Sequence, residues 1–325
     1  MADFPDVRLH VVTGKGGTGK TTVAAALGLA LAAGGRMVLL TEVEGRQGIA
    51  QLFDCPPLPY EERKVAIAPR GGDLYALAID PEAALLEYLE MFYNLRRAGA
   101  ALKRLGAIDF ATTIAPGMRD VLLTGKVKEA VTRSRRGGPR YDAVVMDAPP
   151  TGRIARFLNV NTEVAGLARA GPIRAQADSV MALLRSPETA VHLVTVLEEM
   201  PVQETIDGAT ELTAVGLPVG GVFVNMVRPP MLPAAELRRA AAGRLGRPRL
   251  AAGLVAAGLE ADDDLIDVLV DETADHATRV ALESRERAEL ADLDRPRYEL
   301  PLLDEGMDLG GLYRLAALLH DQGAA

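Results

Sequence analysis

The sequence predicts an α/β protein: a mostly parallel central sheet flanked by helices. Three observations carry this. Strand-length apolar runs alternate with helix-compatible stretches along 325 residues. The runs are apolar nearly throughout, as expected of strands covered on both faces. Between the first run and the first helical stretch stands Gly14-Lys15-Gly16-Gly17-Thr18-Gly19-Lys20-Thr21-Thr22. Strand, glycine-rich loop and helix is the order of a phosphate-binding loop.

The strand candidates are residues 7–12, 37–41, 74–79, 143–146, 191–197, 219–224 and 298–300. A helix is expected from about residue 21 through 33, directly after the loop. Pro81 suits the first turn of another helix. Residues 81–135 and 153–190 carry few strand signals. They are expected to form a helical subdomain at the carboxyl edge of the sheet, where ligands bind in open α/β folds. Asp262-Asp263-Asp264 reads as the start of a solvated helix. With no internal repeat and no Ser/Pro linker, residues 1–325 read as a single domain.

Composition narrows the function classes. The chain is 49% hydrophobic and 25% charged, with a net charge of −8. No global basic field draws it to nucleic acid or to an anionic membrane. No apolar run approaches the roughly 20 residues that span a bilayer, so stable membrane insertion is not expected. The first residues lack the basic-then-apolar pattern of a secretory signal. A single cysteine, Cys55, allows neither an internal disulfide nor an all-thiolate metal site in one chain. A cytoplasmic setting is expected.

The loop at residues 14–22 fits G-x-x-x-x-G-K-[ST] in full. Glycines let backbone N–H groups turn inward around phosphate oxygens. Lys20 would put a positive charge on the terminal phosphates, and the Thr21 hydroxyl would meet Mg2+. The next helix points its N-terminus at the same anion. Further on, Tyr141-Asp142-Ala143-Val144-Val145-Met146-Asp147 is an apolar run ending in an acid. Such an acid holds Mg2+ in phosphate-loop enzymes, although strand-end Asp residues also cap turns. The next segment, Ala148-Pro149-Pro150-Thr151-Gly152-Arg153, adds specificity. Two prolines and then Thr-Gly make a stiff segment with a pivot, suited to a loop that senses the γ-phosphate and switches.

These segments together resemble the arsenite-pump ATPase (ArsA) family, which includes the ATPases that deliver tail-anchored membrane proteins. The resemblance rests on residues 14–22 with the extra lysine Lys15 (a deviant Walker A loop) and on Asp147-Ala148-Pro149-Pro150-Thr151-Gly152. It extends to Arg156-Phe157-Leu158, residues 194–205, Phe223-Val224-Asn225 and Leu300-Pro301-Leu302, and so spans most of the chain. It implies a phosphate-loop NTPase fold. It implies Mg2+-dependent ATP hydrolysis in a nucleotide-gated dimer, of identical or paralogous chains, coupled to binding or delivery of a client protein. It assigns Lys15 a reach across the dimer to the partner's nucleotide, like an arginine finger in trans. It assigns Asn225 and Pro301 to the adenine and Pro150, Thr151 and Gly152 to the switch. Read without the resemblance, Lys15 is also compatible with a solvated loop lysine and Asn225 with a turn residue.

The departures shape the expectation. The family's first switch has Asp-Pro-Ala-His, and its Asp orients the attacking water. Counting back from the shared Phe53 puts Glu44 at that position. Glu keeps the carboxylate but adds a methylene, and a displacement of about 1 Å can cost roughly a hundredfold in rate. The Cys-x-x-Cys pair of the delivery ATPases is absent, so no zinc is expected. The arsenite-binding cysteines are absent as well. Two other readings stay open: a catalytically weak regulatory subunit of a heterodimer, and a partition or positioning ATPase. For the latter, the last helix, residues 309–320, carries one Arg and no Lys and is a poor membrane anchor.

Other features read as ordinary. His10, His192, His276 and His320 lack ligand spacing and read as strand or surface residues. The basic run at residues 133–140 reads as a solvated connection. Met91, Met118 and Met181 fall in the helical layer, as core residues or as part of an adaptable apolar groove.

Overall fold

The computed structural model describes residues 2–93, 117–135, 138–167, 172–304 and 306–325. Its strands are β1 (Leu9–Gly14), β2 (Met37–Glu42), β3 (Arg63–Ile67), β4 (Asp73–Ala78), β5 (Ser134–Arg135), β6 (Gly138–Pro139), β7 (Ala143–Asp147), β8 (Thr189–Thr195), β9 (Val219–Val227) and β10 (Arg297–Pro301). Among the described residues, eight of them form one sheet in the order β10-β9-β8-β1-β7-β2-β4-β3. Every pairing in it is parallel except β3 with β4. The helices are α1 (Lys20–Ala32), α2 (Gly48–Leu52), α3 (Pro81–Tyr93), α4 (Met118–Thr132), α5 (Thr151–Leu167), α6 (Pro172–Leu184), α7 (Glu199–Ala214), α8 (Ala234–Ala241), α9 (Arg247–Ala256), α10 (Asp263–Glu289) and α11 (Leu309–Asp321).

The α/β class and the mostly parallel sheet are as the sequence predicts. Parallel neighbours need crossovers, and helices supply them on both faces. Residues alternate between the faces along each strand. Val12, Val38, Leu40 and Val145 pack toward α1 and α11. Leu9, Val11, Leu39, Val144 and Met146 pack with Leu122, Ile154, Phe157, Leu184 and Leu212 from the opposite layer of helices. Helix α1 is buried all round except at Thr21 and Thr22, so it is a core element and not an amphipathic surface helix. Leu312, Leu315, Ala316 and Leu319 of α11 are buried in the same core as α1. The last helix therefore spends its apolar face inside the domain, which makes it unsuited to anchoring on a membrane. No described helix is long and apolar enough to cross one.

The sheet has one edge that the sequence pattern did not reveal. β3 pairs antiparallel with β4 and is largely exposed. Of its residues, Arg63-Lys64-Val65-Ala66-Ile67, only the last three are apolar and Ile67 is exposed, while the charged start of the strand protects the edge. The basic run after α4 is solvated, as expected: none of its described residues is buried. It forms the β5–β6 hairpin. Arg133 pairs with Glu129 and Glu62, while Arg140 lies over the Tyr141 ring. Residues 136–137 lie outside the described set. So do residues 94–116 and 168–171, which belong to the expected helical subdomain, and the side chain of Met91. Met181 is buried in the core, and Met118 packs against it.

Two of the histidines lie on strands in the middle of the sheet. His10 and His192 stand on adjacent strands in diagonal register, with His10 opposite Ala190 and Val12 opposite His192. Both are fully buried. The Gly221 N–H donates to His192 Nδ1 at 3.1 Å, which puts the His192 proton on Nε2. That nitrogen lies 3.0 Å from His10 Nδ1, so His192 donates and His10 accepts. The rings stack at 5.3 Å. Burial holds both imidazoles neutral: His10 is driven down to about 3, and His192 is driven well below the ordinary range. In an unfolded chain both would take up protons near pH 6.5. Protons therefore favour the unfolded chain below that pH, and this pair withdraws stability as pH falls. Histidine-labelled NMR checks this directly. The His10 and His192 ring signals should stay fixed from about pH 8 to about pH 5, and a midpoint near 6.5 for either would contradict a neutral pair.

Candidate nucleotide site

The carboxyl ends of β1, β2 and β7 lie side by side, and most of the candidate side chains sit there. β1 ends at Gly14, and α1 starts at Lys20. The turn between them is tight. A Cβ on Gly14 would run into the Val194 carbonyl. Gly19, the residue capping α1, has φ +80°, a conformation glycine adopts without strain. The Lys15 carbonyl accepts from both the N–H and the hydroxyl of Thr18, at 3.3 and 2.9 Å. No side chain caps α1. The first-turn N–H groups therefore face the loop, and with the helix dipole they form an anion seat.

The Thr21 hydroxyl donates to Asp147 Oδ2 at 2.7 Å. Asp147 is buried. Burial dominates its titration and raises it to about 6, against the opposing pull of Thr21 and Lys20; the carboxylates of Glu42 and Glu44 push it further up. Lys20 is buried too. Dehydration lowers its pKa, and the charges of Asp147 and Glu44 oppose that shift. Glu44 follows β2, partly exposed, with Arg46 3.6 Å away. Gly48 packs over the Thr21 side chain, which closes this segment onto the loop.

Sequence reasoning missed Glu42. It stands opposite Asp147 in the β2–β7 register and is almost wholly buried. One oxygen accepts from the Ile49 N–H at 3.3 Å. The other, Oε1, has no partner among the described residues. A buried carboxylate with a free oxygen beside a second carboxylate is costly without a cation or a donor. The available signal was an acid closing an apolar strand, the same pattern that singled out Asp147.

The switch segment is shorter than expected. Ala148 N–H donates to the Val12 carbonyl at 2.9 Å, and the Thr13 hydroxyl donates to the Pro149 carbonyl at 2.6 Å. Helix α5 then begins at Thr151, so Thr151 and Gly152 lie in its first turn and not in a loop. Prolines just before a helix leave its first turn free to start. Pro150 directly precedes the helix. Thr151 Oγ1 donates to Glu204 Oε2 at 3.2 Å. The other oxygen of Glu204 takes Lys15 Nζ at 2.7 Å.

Asn225 is buried and touches the loop itself. Its Nδ2 donates to the Thr18 carbonyl at 2.9 Å, leaving Oδ1 for a further donor. Pro301 ends β10, paired opposite Val227. Asn225 thus flanks one end of the loop, and Pro301 lies on the neighbouring strand. Gly16, Gly17 and Thr22 belong to the turn and the first helical turn. The single thiol, Cys55, is half-buried, and burial pushes its pKa up, which makes it a poor nucleophile or metal ligand.

Residues 7–186 match the family described as anion-transporting ATPase. The chain is 57% identical to ATPase BagA of Mycobacterium tuberculosis over 98% of its own length and 94% of that protein. It is 30% identical to ATPase GET3 of Kluyveromyces lactis over half of each chain. It is 27% identical to an arsenical pump-driving ATPase of Escherichia coli, over 67% of this chain and 39% of that one. The phosphate loop, the sheet topology and these likenesses agree: the chain is an ATPase and belongs to the anion-transporting ATPase (ArsA) family.

Proposed function

We propose that this ATPase works as a nucleotide-gated pair of chains, identical or paralogous, whose Mg2+-dependent cycle captures and releases a client protein. The observation that carries the nucleotide chemistry is the convergence of Thr21 with Asp147, beside Lys20, at the uncapped start of α1. The triphosphate seats on the N–H groups of residues 14–22, and Lys20 meets its terminal phosphates. Asn225 and Pro301 face the base.

The donor set suits a hard divalent cation. A hydroxyl, a buried carboxylate and the free Oε1 of Glu42 are all oxygen ligands or acceptors for a hydrated ion. Bound there with nucleotide, Mg2+ would offset the charge of the β- and γ-phosphates. Thr21 and Asp147 would hold it, and Glu42 would accept from its water shell. Glu44 orients the attacking water. Lys15 adds positive charge at the phosphates, from one chain to its partner's nucleotide. The relatives named GET3 and arsenical pump-driving ATPase support a cycle that acts on something other than nucleotide. Among the described residues, Val255, Leu259, Leu265 and Val268 on and around α9 and α10 are exposed apolar side chains, which supports a protein partner.

Turnover of purified variants tests the assignment. Lys20→Ala and Asp147→Asn should reduce hydrolysis to background. Glu44→Gln should lower kcat by about a hundredfold or more, the usual reach of a lost general base or water-orienting group, with little change in nucleotide affinity. Full activity in Glu44→Gln would remove Glu44 from the chemistry. A wild-type chain that binds ATP but turns it over only with a second ATPase present would favour the regulatory-subunit reading.

The raised titration of Asp147 gives a pH dependence. Below about pH 6 the free carboxyl holds a proton, and the cation must displace it. The Mg2+ concentration needed for half-maximal binding of a fluorescent ADP should rise up to about tenfold per unit below pH 6, as one competing proton requires. Above about pH 7 it should be flat. A requirement unchanged from pH 7.5 to about pH 5 would mean that Asp147 does not face the ion.

A further inference from the structure

Lys15 stands in the phosphate loop and Thr151 opens the switch helix, and one carboxylate joins them. Glu204, on α7, takes the Lys15 ammonium on Oε1 at 2.7 Å and the Thr151 hydroxyl on Oε2 at 3.2 Å. Three elements therefore meet at one side chain: the loop after β1, the N-terminus of α5, and α7. The approach is close by construction. One turn along α7, a Cβ on Gly208 would already touch the Thr151 side chain. Thr151 is buried, so its hydroxyl has little freedom to find another acceptor.

We propose that Glu204 is a positioning residue for ATP hydrolysis: it holds Lys15 back from the phosphates and ties that restraint to Thr151. The proposal rests on the reading of Lys15 as a phosphate-facing lysine. An ammonium paired with Glu204 is not available to a triphosphate, so the nucleotide must win it from the carboxylate. The magnitudes allow this. The side chains of Lys15 and Glu204 are 29% and 36% exposed, and pairs that open to water are worth little. A triphosphate with its several charges outcompetes such a carboxylate. When Lys15 leaves, Glu204 keeps Thr151 as its partner at the start of α5, where the helix dipole favours its charge. Loop occupancy is in this way transmitted to the switch helix by exchange of a single ion pair. A weak, half-solvated pair suits this role, because a fully buried one would not release.

A double-mutant cycle tests it. Affinity for a fluorescent, non-hydrolysable ATP analogue with Mg2+ is measured in wild type, Glu204→Gln, Lys15→Ala and the double variant. Removing a carboxylate near the triphosphate relieves repulsion in either background, so only the difference between backgrounds reports on Lys15. With Lys15 present, Glu204→Gln should tighten binding about two- to fivefold more than it does with Lys15→Ala, the range of an exposed ion pair. In turnover the same variant should change KM by that factor and leave kcat within about twofold. Equal factors in both backgrounds would overturn the proposal. Glu204→Asp guards against a folding defect, since it keeps the charge but is one methylene short of Lys15. It should shift affinity in the same direction as Glu204→Gln, and wild-type behaviour would count against the proposal. Lys15 is read as reaching the partner's nucleotide, so the cycle is run at a protein concentration where sedimentation shows paired chains with the analogue. A single-chain particle under those conditions would remove the paired-chain reading, and a coupling between Glu204 and Lys15 that persisted there would put Lys15 at its own chain's phosphates.

Discussion

Asp147 is buried at the end of a strand flanked by parallel neighbours, with the Thr21 hydroxyl on one of its oxygens and Glu42 across the register. A carboxylate in that position resists ionisation unless positive charge is brought to it, and its rise to about 6 expresses that resistance. The rest of the site answers this one constraint. Lys20 brings a fixed cation, itself weakened by dehydration. Thr21 brings a hydrogen-bond donor at 2.7 Å. The open first turn of α1 brings the dipole that makes the same place attractive to phosphate. The carboxylates of Glu42 and Glu44 repel that of Asp147, while Lys20 and Thr21 oppose this, and the set is complementary to a metal–triphosphate complex.

The fold creates this constraint through topology. Parallel strands place all their carboxyl ends on one edge, and β1, β7 and β2 are adjacent there. Asp147 and Glu42 stand opposite one another only because β2 and β7 are in register. Helix α1 must be core on all sides to run directly behind these strands, which explains its Ala- and Leu-rich composition. On the other face, α5 starts immediately after Pro150 and α7 lies alongside it. Any change in the loop that Lys15 feels is therefore one side chain away from the start of α5. Short connections of this kind are what the proposed coupling between nucleotide and the helical layer would use.

Much of this was legible from residue order. The glycine spacing fixed the loop, because φ and close approach leave few alternatives at Gly14 and Gly19. Seven apolar runs became seven strands, since strands buried on both faces cannot hide their composition. The antiparallel edge β3 could not be read, because its apolar run is only Val65-Ala66-Ile67 behind two charged residues, too short to stand out as a strand. Glu42 was overlooked beside Glu44, since only the register shows which acid faces Asp147. His10 and His192 are separated by most of the domain, and their pairing exists only through the alignment of β1 with β8. Glu204 lay within a recognised stretch, yet its hold on Lys15 depends on where α7 packs. Local chemistry was visible in sequence, whereas pairings between distant charged groups required the sheet.

The central claim is that a metal–triphosphate complex satisfies a charge cluster otherwise divided against itself, and that this closes two chains on each other. Sedimentation velocity of the wild-type chain with Mg2+ and a non-hydrolysable ATP analogue, compared with Mg2+ and ADP, tests it most directly. A two-chain particle with the triphosphate, shifting toward single chains with ADP, is the expected result. The same mass in both nucleotide states would contradict nucleotide-gated pairing.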